Sequence, residues 1–79
     1  MEGGSTVIDG AKLRAIRVQQ KISLEKLGRA TGLSAHTIMR VETGATKDPG
    51  VETMTIITKA LMIDLDDVLI KEEEGEANG

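Results

Sequence analysis

The chain contains no cysteine, phenylalanine, tryptophan or tyrosine, and only one proline and one histidine. Without cysteine there is no disulfide framework, no thiolate zinc site and no cysteine nucleophile. Without aromatic rings, single-strand binding by base stacking is excluded, as is an RNA-binding sheet with an aromatic platform. His36 has no second imidazole with which to share a metal, so neither a metal site nor a cofactor is expected. The apolar run from Ala60 to Ile63 falls far short of the roughly 20 residues that cross a bilayer, so no membrane partner is expected. No basic segment followed by an apolar one opens the chain as a signal peptide would, and a cytoplasmic location follows as the expectation. At 79 residues there is room for one small domain, whose core supplies only a few kcal/mol net.

What charge there is lies unevenly. The chain carries a net -3, yet from Ala11 to Ile63 nine basic side chains face four acidic ones. Acid gathers afterwards, in Asp64, Asp66, Asp67 and the tail Glu72, Glu73, Glu74 and Glu76. A basic body with an acidic end is compatible with phosphate binding, because the local field governs the encounter more than the net charge does. A solvated face on an ordinary helical protein would show the same balance.

Apolar spacing divides the chain into short helical segments and shows no sustained alternation of period two, so the fold class is all-α. Residues 1–8 are read as a flexible N-terminus, 9–70 as the folded domain and 71–79 as a disordered acidic tail. Asp9 caps a first helix from about Gly10 to Gln20, with Leu13 and Ile16 inward. Ser23 caps a second, about Leu24 to Thr31, and Ser34 a third, about Ala35 to Thr43, with Ile38 and Val41 inward. A fourth, about Val51 to Leu61, is apolar over more than half its surface, which predicts a central position. Asp64 caps a last short helix with Leu65, Val68 and Leu69, and Asp67 completes a capping-box pattern.

The second and third helices carry the functional signal. Gly28 removes a side chain where the pair must approach, and Gly32 can take the left-handed backbone that reverses the chain. Leu27, Leu33, Ile38 and Val41 clamp the two from inside. Such a pair is the helix-turn-helix arrangement, whose second helix lies in the DNA major groove. With Ile22-Ser-Leu-Glu-Lys-Leu27, Thr31-Gly-Leu-Ser34, Ile38-Met-Arg-Val-Glu-Thr-Gly44 and the stretch from Val51 to Leu69 in this order, the chain from about Leu13 to Leu69 resembles the Cro and phage-repressor type of helix-turn-helix domain. Gly28 stands where that family usually has alanine, Thr31 where an apolar residue is common, Leu24 where many have glutamine, and Ala45 and Asp48 where basic residues are frequent.

The resemblance implies a compact five-helix, lambda-repressor-like DNA-binding domain and a transcriptional regulator, most often a repressor, that inserts helix 3 into the major groove of double-stranded DNA. On a wheel with Ile38 at zero, His36 and Arg40 fall at about 160° and 200°, away from the core. Ala35, His36 and Thr37 occupy the first turn, which approaches base edges in this family, and Arg40 can offer a fork to guanine. These four are the expected base contacts. Expected phosphate contacts are Arg17, Ser34, Thr43, Thr46, Lys47 and the backbone at Leu24, where the second helix begins. Arg17 has a second implied role, a structural ion pair with Glu42. A single reading helix spans few base pairs, so a homodimer, at least on DNA, is expected; Leu65, Val68, Leu69 and Ile70 offer a contact surface, although Leu65 and Leu69 are expected rather to close the core.

Two other function classes compete with this reading. An antitoxin-like or adaptor protein would use the same fold to hold a protein partner, with the acidic tail as handle. An enzyme is not expected: adjacent Asp66 and Asp67 point about 100° apart on a helix and form no dyad, and no glycine-rich phosphate loop follows a strand.

Overall fold

The capping signals that the sequence carries are met one by one in the computed structural model, which describes residues 8–70. The order is α1 (Gly10–Gln19), α2 (Leu24–Thr31), α3 (Ala35–Thr43) and α4 (Val51–Leu61), followed by a single 3-10 turn (Leu65–Val68). Asp9 accepts the Lys12 N–H at 3.1 Å, Ser23 the Lys26 N–H at 3.0 Å and Ser34 the Thr37 N–H at 3.0 Å. Each side-chain oxygen satisfies one donor that the first turn leaves unpaired. Gly32 ends α2 with φ +80°, the left-handed backbone that turns the chain into α3.

One residue set from every element meets in the core: Leu13, Leu27, Ile38, Val41, Met54, Ile57, Leu61 and Val68 are all buried. α3 packs on both α1 and α2, while α4 packs on α2 and on the 3-10 turn. The Gln20 side-chain amide donates to the Leu61 carbonyl at 2.8 Å and joins the end of α1 to the end of α4. Among the described residues no helix is long and apolar enough to cross a membrane.

Three expectations are corrected. The fifth helix is a four-residue 3-10 turn: the Asp67 N–H donates to the Asp64 carbonyl at 2.9 Å and the Leu69 N–H to the Asp66 carbonyl at 3.4 Å, and Leu69 then switches to extended backbone. That extended Leu69 forms an isolated antiparallel bridge with Ile8, and the Asp9 N–H donates to the Val68 carbonyl at 2.7 Å. Ile8, assigned above to the flexible N-terminus, therefore belongs to the folded domain and packs against its core. α4 is not enclosed on all its apolar surface: Val51 is 65% exposed and Ile56 42%. The expectations for residues 1–7 and for the acidic tail 71–79 lie outside the described residues.

The α2–α3 turn is closed by backbone proximity. A Cβ placed on Gly28 would lie 2.7 Å from the Leu33 carbonyl oxygen, inside van der Waals contact with main chain that cannot rotate away. Thr31, at a position that is commonly apolar, is half-buried; its hydroxyl donates to the Leu27 carbonyl at 2.8 Å, shared with the Gly28 carbonyl at 3.2 Å, and accepts the Leu33 N–H at 3.2 Å. Gly28→Ala is accordingly expected to lower stability by about 1–3 kcal/mol in urea denaturation, although helix propensity alone would favour alanine by about 1 kcal/mol. A variant more stable than the parent would show that the turn yields to the methyl group.

Candidate nucleic-acid interface

α3 presents its outer face because its inner one is committed: Ile38 and Val41 are fully packed and Glu42 is buried with them. His36, Thr37, Arg40 and Thr43 are exposed and Ala35 is half-buried. His36 and Arg40 lie four residues apart, one turn along the helix, so both can face one ligand surface. All four expected base-contact residues thus lie on or beside one open face.

At the start of α3, Ser34 and Thr37 pair their hydroxyls at 2.8 Å while Ser34 also accepts the Thr37 N–H. Two hydroxyls joined by one hydrogen bond keep one hydrogen to offer outward, which suits a phosphate oxygen. At the other end of α3, the Arg40 Nε–H donates to Thr46 Oγ at 3.2 Å and the Thr46 N–H donates to the Arg40 carbonyl at 3.0 Å. The Thr43 hydroxyl leans on the same carbonyl at 3.4 Å. Lys47 follows in the loop, exposed. Ser34, Thr37, Thr43, Thr46 and Lys47 therefore flank the two ends of the exposed face of α3.

Leu24 contributes differently from the rest. Its side chain is half-buried against the core, so only its backbone N–H at the opening of α2 can meet a phosphate. Glu25 in the same first turn opposes an anion there, whereas α3 has no acidic residue in its first turn.

Arg17 and Glu42 form a buried bidentate pair. Arg17 Nε donates to Glu42 Oε2 at 2.6 Å, Nη2 to Oε1 at 3.0 Å, and Nη1 to the Ile22 carbonyl at 2.7 Å. The two side chains are 9% and 2% exposed. Hydrogen bonding to Glu42 is the main cause that holds the Arg17 pKa above its ordinary value, against the opposing effect of burial. Of the two roles implied for Arg17, the geometry fits the ion pair, since every guanidinium nitrogen is already engaged within the protein.

Sequence reasoning passed over Met39. It is 39% exposed and falls about 100° from Ile38, between Ala35 and Thr43 on the wheel. A methionine in an amphipathic helix is assigned to the core by default, and only the packing around Ile38 and Val41 shows this one to be outside. The signal available was the angle itself.

A family model described as Helix-turn-helix matches residues 13–68. Among solved structures, the clp gene regulator ClgR from C. glutamicum superposes with a TM-score of 0.67 at 28% identity, covering 73% of this chain and 74% of that one. The P22 c2 repressor protein, solved in complex with synthetic operator 9T in the presence of Tl+, superposes with a TM-score of 0.68 at 30% identity, covering 75% of this chain and 88% of that one. No curated protein matches.

Proposed function

The chain belongs to the helix-turn-helix family, and from that premise we propose that it regulates transcription by binding double-stranded DNA sequence-specifically, as a repressor that lays α3 in the major groove. The observation that carries this reading is the open face of α3, where His36 and Arg40 are exposed together on a helix whose other side is fully packed. A similar fold was solved on an operator, in the P22 c2 repressor.

In this reading Arg40 offers its fork to guanine O6 and N7, and His36 and Thr37 exchange hydrogen bonds with base edges. The Ala35 and Met39 methyl groups meet thymine methyls. Ser34, Thr43, Lys47 and the α2 opening at Leu24 hold phosphates and set the register. A homodimer on DNA doubles the sequence read, with half-sites about one helical turn apart. Its contact surface is built around half-exposed Ile70 beside Leu65 and Leu69, while fully buried Val68 stays in the core.

Selection from a random duplex library tests the reading. A two-fold motif should emerge, and affinity for it should fall about a thousandfold or more between 50 and 200 mM salt if six or more phosphates are held. Arg40→Ala should relax the preference at one position of each half-site by about 1–3 kcal/mol, whereas Lys47→Ala should weaken all sequences alike and reduce the salt slope by about one. Equal affinity for every duplex would refute sequence-specific binding.

A further inference from the structure

Arg40 and Thr46 are joined twice, and the second of these bonds has a consequence for recognition. The backbone bond, Thr46 N–H to the Arg40 carbonyl at 3.0 Å, brings the loop after α3 back beneath the helix end. The side-chain bond, Arg40 Nε–H to Thr46 Oγ at 3.2 Å, then takes the one guanidinium donor that lies on the stem side of the group. The two Nη groups remain: one Nη2 hydrogen runs parallel to the Nε–H, and the Nη1–Nη2 end of the planar fork is left open by the contact with Thr46.

We propose that Thr46 is a positioning residue that aims Arg40 at its base pair, an inference that rests on the reading of Arg40 as a DNA contact. An exposed arginine explores many rotamers, and fixing it on binding costs entropy that a tethered one has already lost. The Nη pair is the end of the fork that meets guanine O6 and N7, so a contact through Nε leaves that reading edge intact. The arrangement differs from a Thr46–phosphate contact, in which the hydroxyl would act on DNA directly and independently of Arg40.

A double-mutant cycle on the duplex selected by the parent protein separates the two. Thr46→Val keeps the shape of the side chain and removes the hydroxyl; Thr46→Ser restores it. Thr46→Val should weaken binding about three- to tenfold, relax preference at the same base pair as Arg40→Ala, and add nothing in the Arg40→Ala background. Thr46→Ser should bind as the parent does. In the free protein, the Arg40 Nε–H proton should exchange with water faster in Thr46→Val than in the parent, while the melting temperatures agree.

Additive losses from the two substitutions, or a Thr46→Val protein with unaltered base preference, would overturn the positioning role while leaving Arg40 as a contact. Unaltered binding by Arg40→Ala would overturn the contact and the proposal with it. The exchange measurement keeps these cases apart, because it reads the tether without DNA.

Discussion

Glu42→Ala should lower the melting temperature by at least about 12 °C, the loss that follows from breaking a buried ion pair at about 3–5 kcal/mol in a domain where each kcal/mol is worth about 4–8 °C. The magnitude comes from what is left behind. Arg17 would retain its charge in a site where its side chain is 9% exposed, with the Ile22 carbonyl as its remaining partner at 2.7 Å. Because hydrogen bonding to Glu42 raises the Arg17 pKa, titration of the arginine leaves its contribution to stability intact up to the ordinary arginine value. It is lost only as pH rises through the raised one, so the guanidinium brings no pH dependence near neutrality.

Arg17→Ala leaves the opposite orphan, a carboxylate 2% exposed, and should fall in the same range. The double replacement Arg17→Met with Glu42→Leu should recover most of either loss, since an apolar pair needs no partner charge. Melting of the three variants by circular dichroism checks this, and single variants within about 3 °C of the parent would show that the site admits water. The pair also bears on binding. It pins the last turn of α3 to α1 and to the loop before α2, so loosening it should weaken DNA binding without touching a base-contact residue.

Gly10→Ala is the second large effect, with about 3 kcal/mol or more expected from overpacking, or roughly 12–24 °C in melting temperature. Gly10 opens α1 and is buried against the end of α3, where an added Cβ would collide with the carbonyl oxygens of Val41 and Glu42. Both obstacles are main chain, so no rotamer change relieves them. The contact also places the positive end of α1 against the negative end of α3, a favourable alignment that retreat would weaken. Helix propensity predicts the reverse sign, because alanine is the better helix former. A variant that melts at or above the parent temperature would show that α1 can withdraw from α3 at little cost.

Much of the fold was legible because its signals act within one helical turn. Asp9, Ser23 and Ser34 before the helices, Gly32 after α2 and the inward spacing of Leu13, Leu27, Ile38 and Val41 are local features, and each element formed where they indicated. The outward placement of His36 and Arg40 followed from the same periodicity. The Arg17–Glu42 pair spans 25 positions, and only resemblance to a family suggested it.

Periodicity alone was insufficient wherever a residue lay at the margin of a face. Met39 and Ile56 read as apolar helix positions and are left partly exposed, because the neighbouring helices cover other sectors. The last segment had a cap and the right leucines, yet pairing with Ile8 drew Leu69 into extended backbone and ended the helix after one turn.

The amino-acid order by itself thus determined where helices start and stop and which side of each is apolar, since those preferences are settled by neighbours three or four residues away. Tertiary structure alone decided that Gly10 must lack a side chain, that Ile8 meets Leu69 and that Thr46 holds Arg40. Each of these depends on how closely two separate pieces of backbone approach, a distance set by the packing of the whole core and written in no single stretch of chain.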